Sequence, residues 1–420
     1  MNRLSRVAVS EAMGLYMGDV RSPFGAQGTL RRAPIRWASV LACVALIASA
    51  CDVSTTAIRP SAACGSWRTV PSPSVGTGFN SLDGVAVAPD GRVWAVGAYK
   101  DATGVGRSLT LSYDGTSWTR VPSPDVGVQG TFLNDVDVIG SDDAWAVGAT
   151  RNERGIARTY AIHWNGRAWA SVPTPNLGGG DNFLTDVASV GSDDVWAAGY
   201  RHHGSSTRSM LLHWDGRAWS SVPFRMQRSA GDGLNAISAS PGGDVWAVGG
   251  YVRPGLSTQT LILHLNGNDW HSVPSPNVSV HGNSLTGVVG TAGSGAWAVG
   301  GFQDLSGDRT LFMNSVSGSW NLHQMPDSRA VSDDLNDVAA ASSRDLWAVG
   351  TSYDGQADHT LIMRGDGTSW YRVPSPDAGV GESRLSAVAA GAGGNAWAVG
   401  TYSGAQPGRT LIQHFCPIGS

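Results

Sequence analysis

The chain reads as an all-β protein, a seven-bladed β-propeller of four-stranded antiparallel blades in which the N-terminal strand completes the last blade. Three features predict this: a repeat of about 50 residues, a composition suited to short strands and tight turns, and a lone strand ahead of the first full repeat.

The repeat is carried by tryptophan. Trp94, Trp145, Trp196, Trp246, Trp297, Trp347 and Trp397 each open a W-A-V-G segment or its close variant, at spacings of 50 or 51. A second series, Trp67, Trp118, Trp169, Trp219, Trp270, Trp320 and Trp370, keeps the same spacings and is mostly followed by V-P-S-P. Four strands fit each unit. In the second unit they are Leu133 to Val138, Ala144 to Ala149, a third from Thr159 to Trp164 beyond a long loop, and a fourth around Trp169. Asn165-Gly166, Asp114-Gly115 and Asp215-Gly216 predict short hairpins with left-handed central residues. Alternation in the second strand sets Trp145 and Val147 against Ala146 and Gly148, so large side chains of one blade should meet the small face of the next. The prolines are expected on the outer edge, where a missing N–H discourages pairing with another molecule.

Composition agrees. With 56 Gly and 17 Trp in 420 residues and only 15% charged side chains, the chain suits many turns around a large aromatic core. Without residues 1–51 it keeps 23 of its 29 basic and 31 of its 33 acidic residues, a net charge of −8, and no run of Lys/Arg remains. No nucleic-acid partner is expected, because phosphate binding needs a positive footprint.

Residues 1–51 read as an N-terminal extension and export signal. Trp37 to Ala50 is an uncharged stretch of fourteen residues behind Arg31, Arg32 and Arg36, too short to cross a bilayer comfortably. Ala48-Ser49-Ala50-Cys51 resembles a bacterial lipobox, which implies acylation of Cys51 and anchoring to the outer side of the cell membrane. Plain secretion, with cleavage after Ala50 or near Ala63, and a retained anchor are the alternatives. Residues 52–63 read as a flexible tether and 64–417 as the propeller.

The last unit has three strands and no fourth, whereas Ser66 to Val70 is a fourth strand without a unit. Joining them closes the ring. The repeat alignment places Cys64 on Gly267 and Cys416 on Asn266, two positions of one hairpin turn, so a Cys64–Cys416 disulfide is expected in an exported protein. Such a loop is worth ~5 kcal/mol in an unfolded-state entropy model.

The second position of each inner strand reads Asp83, Asn134, Thr185, Asn235, Thr286, Asn336 and Ser386, a candidate ring lining the central channel. The next position reads Gly84, Asp135, Asp186, Ala236, Gly287, Asp337 and Ala387. Polar rings of this kind suit water, a small polar ligand or a channel-bound cation. No cofactor is otherwise expected. His163, His213, His264 and His414 occupy equivalent places on different blades, too far apart to share a metal. Arg201, His202, His203 and Arg208 form a candidate site in a variable loop of the third unit. No nucleophile–base pattern, H-E-x-x-H or phosphate loop is present.

The strings SYDGTSW (112–118), WDGRAW (214–219) and GDGTSW (365–370) resemble degenerate Asp-boxes of BNR-type propellers, and the W-A-V-G segments resemble those of secreted bacterial, kelch-like propellers. The resemblance covers 64–417. Glycine directly follows the Asp here, one place earlier than in a true Asp-box, and no sialidase Arg triad or Tyr–Glu nucleophile carries over. Galactose-oxidase-like copper chemistry needs a crosslinked Tyr and Cys, and both cysteines of the domain are assigned to closure.

The expectation is a monomeric extracytoplasmic binding or scaffold module that presents a loop face to a protein or glycan. Catalysis is left open, and the alternative is an enzyme acting on extracellular polysaccharide or glycoconjugate, a hydrolase or lyase.

Overall fold

In each repeat the second strand buries one large and one small face, and neither is stable until a neighbour covers it. The computed structural model describes residues 65–417, apart from 205, 227–228, 241, 254, 256, 292–294, 306, 324–329 and 405–407. It contains seven four-stranded antiparallel sheets. Strands A to D of blade 1 are Asn80–Val87, Val93–Lys100, Gly106–Tyr113 and Trp118–Arg120. Blades 2 to 6 repeat this order, starting from inner strands at residues 130, 182, 231, 283 and 332. Blade 7 takes Ser383–Ala390, Ala396–Tyr402 and Arg409–Phe415 from the C-terminus and Trp67–Val70 from the N-terminus. Trp67 pairs with Phe415 and Val70 with Ile412, so the expected closure holds. The backbone N–H of Gly65 donates to the carbonyl of Cys416 at 2.8 Å. Cys51 and Cys64 lie outside the described residues.

Packing between blades follows the alternation. Trp94 and Val96 of blade 1 lie in one cluster with Leu133, Val136, Ala144 and Ala146 of blade 2. At all seven interfaces a strand-B Trp meets a strand-D Trp of the next blade edge to face. The ring centroids are 5.0–5.5 Å apart and the planes cross at 71–88°. This arrangement sets the positive edge of one indole against the negative face of the other. Trp67 takes the same place against Trp347, so the closing interface matches the other six. The strand-C histidines finish the stack. His213, His264 and His414 lie over Trp196, Trp246 and Trp397 at 4.2, 3.7 and 3.9 Å. Each also bonds an Asp or Asn of its own blade, Asp194, Asp244 and Asn395.

The glycine of W-A-V-G has a cause beyond packing. Strand A bulges at the same place in every blade, at Asp83, Asn134, Thr185, Asn235, Thr286, Asn336 and Ser386. The bulge pushes a strand-A carbonyl against strand B. A Cβ on Gly97, Gly148, Gly199, Gly249, Gly300, Gly350 or Gly400 would strike that carbonyl.

Two local expectations change. The Asp-Gly and Asn-Gly pairs open four-residue turns in which only the glycine is left-handed, as at Gly115 (φ 98°) and Gly166 (φ 84°). Asp114 and Asp366 instead accept the N–H groups of the two residues that end the turn and a Thr hydroxyl between them. These bonds to the carboxylate hold Asp114 down at about 2, the Thr116 hydroxyl contributing most. The prolines of V-P-S-P lie past the end of strand D, which stops at Val70 and Val172. The Ser or Thr between them then bonds the strand-C threonine, as in Thr174–Thr159 (2.9 Å) and Ser375–Thr360 (2.6 Å).

Trp67→Ala should cost about 3–5 kcal/mol, the usual range for a buried Trp truncation. Equilibrium denaturation should show the same loss for Trp219→Ala within an unbroken blade. Gly350→Ala should cost about 1–3 kcal/mol by overpacking against the Asp334 carbonyl.

Candidate functional site

The inner strands surround a central cavity of about 550 Å³. All seven residues of the expected ring line it, together with Asp135, Asp137, Asp186 and Asp337, and no Lys, Arg or His does. The bulges explain both layers. A bulged residue projects toward the next blade, and its donor is used there. Asn134 donates to the Leu184 carbonyl (2.6 Å), Thr185 to Leu234 (3.1 Å) and Asn235 to Leu285 (2.7 Å). Thr286 reaches Leu335 (2.7 Å) and Asn336 reaches Leu385 (2.7 Å). Asp83 has no such donor when ionised and accepts the Ser81 hydroxyl at 2.9 Å.

The second layer is a set of carboxylate stitches. Asp186 accepts its own blade's Val187 N–H (2.7 Å) and the next blade's Ile237 N–H (2.6 Å). Asp337 accepts from Val338 (2.7 Å) and Val388 (2.8 Å) in the same way. Asp135 reaches Val187 N–H at 3.2 Å, the group that Asp186 also accepts. Loss of hydration at the channel neck, then the charge of Asp186, raise Asp135 well above the usual carboxylate range. Desolvation also raises Asp186, and it lifts Asp83 and Asp337 to about 7. Among the described residues, no three His, Cys, Asp or Glu side chains converge to hold a metal ion.

The candidate site of blade 3 is rearranged. Arg201, His202, His203 and Arg208 are strand residues, because strands Asp194–His203 and Ser206–Trp214 stay paired to within two residues of the tip. Continued pairing satisfies backbone groups that a loop would leave to water. Arg201 lies opposite Arg208. The pairings then diverge: His202 faces Asp181 at 3.4 Å, whereas Arg208 bonds Asp232 of blade 4 at 3.1 Å.

A second hollow, about 420 Å³, was not anticipated. It opens beside the B–C turn of blade 2, lined by Val126, Val128, Arg151, Glu153, Arg154, Ile156 and Arg158 among others. It lies on the face formed by the B–C and D–A loops. Among the described residues, that face also carries eight of the twelve exposed large apolar side chains: Val126, Val128, Val278, Val280, Leu305, Val331, Tyr353 and Val380. Leu305 and Val380 are 92% and 95% exposed.

No protein-family model matches the chain, and no curated protein does either. Solved propellers are similar in shape. A polysaccharide lyase, the PL25 ulvan lyase bound to -[GlcA(1-4)Rha3S]-, aligns at a TM-score of 0.50 and 10% identity over 82% of this chain and 95% of its own. The extracellular domain of a putative hybrid two-component system of B. thetaiotaomicron gives 0.50 and 10% over 83% of this chain and 39% of its own. YCF48 bound to a D1 peptide gives 0.49 and 13% over 84% and 97%. At these identities the likeness establishes the fold alone.

The channel carboxylates set a pH dependence. Their folded pKa values lie above the unfolded value of 3.8, so the folded state holds more protons between about pH 4 and pH 7. Their contribution to stability is therefore greatest below pH 4 and falls as the pH rises through 7. His359, raised by Asp377 and Asp354, acts in the same direction. The thermal midpoint should fall from pH 5 to pH 8, and Asp135→Asn should flatten that slope whereas His359→Gln should leave most of it.

Proposed function

We propose that the domain is an extracytoplasmic binding module that engages a protein or glycan through the loop face. The observation that carries this reading is the concentration of exposed apolar side chains there, on turns that differ from blade to blade above a repeated frame.

Export follows from the signal-like segment, and acylation of Cys51 would leave the propeller tethered by residues 52–63. A Cys64–Cys416 disulfide would lock the closing strand. It is supported by the 2.8 Å hydrogen bond from Gly65 to Cys416, which brings the backbone next to Cys64 against its partner. A second reading, an enzyme acting on extracellular polysaccharide, draws on the shape shared with a polysaccharide lyase and on channel carboxylates with raised pKa values. Against it, those carboxylates are already engaged with backbone N–H groups.

A glycan array with the full chain, read for binding and by mass spectrometry for released product, separates the two. Binding without product, lost in Val280→Asp/Val380→Asp, is the expected result, and turnover would favour the enzyme. Cys51→Ser should move the protein from the membrane to the soluble fraction.

A further inference from the structure

The repeats act as internal controls for one another, and three of the seven share a charge pair that blade 2, like blades 3, 4 and 7, lacks among the described residues. At the B–C turn, three blades pair an acid with the cation that enters strand C. The pairs are Asp101–Arg107 (2.8 Å) in blade 1, Asp304–Arg309 (3.3 Å) in blade 5 and Asp354–His359 (3.1 Å) in blade 6. In blade 2 the acid's place is taken by Asn152. Its Oδ1 accepts the N–H groups of Arg154 (2.9 Å) and Ile156 (3.1 Å), as Asp101 accepts those of Thr103 (2.8 Å) and Val105 (3.1 Å). The turn is kept and the negative charge is gone. Arg158, the counterpart of Arg107, forms no ion pair among the described residues and donates to the Gly180 carbonyl at 3.1 Å. A carbonyl fixes a guanidinium without neutralising it. Arg151 also donates to the Gly155 carbonyl, at 2.8 Å.

We propose that the blade 2 hollow binds the carboxylate or sulfate of an acidic saccharide, an inference that rests on the glycan form of the loop-face reading. Arg151, Arg154 and Arg158 line it against the one carboxylate of Glu153, and Val126, Val128 and Ile156 supply apolar surface. That combination suits a uronate ring, which has a C–H face and an anionic edge. A hollow of about 420 Å³ admits one or two sugar rings and is far too small for a folded partner. Blade 3 also carries cations, but Arg208 is matched by Asp232 and His202 by Asp181, and its Arg201 does not line the hollow.

The test is calorimetric titration of the full chain with tetragalacturonate, with neutral cellotetraose and with polyglutamate. Tetragalacturonate should bind, weaken as salt rises, and outcompete the other two. Asn152→Asp installs the acid that blades 1, 5 and 6 carry at this place and should weaken binding at least tenfold with the thermal midpoint unchanged. Arg158→Gln should do the same, whereas Arg107→Gln in blade 1 should have no effect. Equal binding of cellotetraose, indifferent to Asn152→Asp, would overturn the anion site and leave the glycan reading standing. Polyglutamate binding as well as tetragalacturonate would overturn the saccharide assignment. No binding of any probe would overturn the inference, and the Val280/Val380 variant on the array would then judge the loop face separately.

Discussion

Everything in the ring depends on one contact made seven times, the edge-to-face pair between a strand-B and a strand-D tryptophan. No sheet shares a ladder with its neighbour, so adhesion between blades falls to side chains. The Trp pairs supply buried area and a preferred angle, because a quadrupolar contact disfavours parallel stacking. Nearer the axis the same interfaces are sewn by the bulged side chains and carboxylates, which reach backbone groups of the next blade. Apolar contact outside and hydrogen bonds inside thus divide the work of fixing blade against blade.

The elements that repeat at fixed spacing were legible in the sequence. The two Trp series, the blade count and the unpaired strand at Ser66 to Val70 are one-dimensional signals of a period, and a period survives without knowledge of register. What was hidden depends on register. Gly148 looks like part of a small-residue face until the bulge at Asn134 brings a carbonyl against it. Asn134 itself looks like a channel ligand until its amide is seen on the Leu184 carbonyl. The B–C segments read as loops because they vary and are polar. Hydrogen bonding nonetheless extends the strands through His203 and sets Arg201 opposite Arg208.

The hollow in blade 2 had a visible signal, although its meaning needed coordinates. Asn152 stands where Asp101, Asp304 and Asp354 stand in other repeats, and the Asp-to-Asn difference alone looks conservative. Only the observed ion pairs show that the acid does two jobs, capping a turn and neutralising a cation, and that Asn performs the first alone. In a protein built from near-copies, a duty that several copies perform shows by contrast where another copy has given it up, and that place is where selection for something else has room to act.

The closing strand has a consequence for how the protein is made. Trp67–Val70 is synthesised before every blade, and its partner Arg409–Phe415 after all of them. Throughout elongation the first strand therefore has no place to pair, and the blade 6 face that receives Trp67 stays uncovered. Blades can form one after another as they emerge, but the circle is sealed in a single late step that joins the two ends of the chain. A nascent or truncated chain is an open arc with an apolar surface at each end, and shielding those two surfaces until release is the problem that its export and folding machinery must solve.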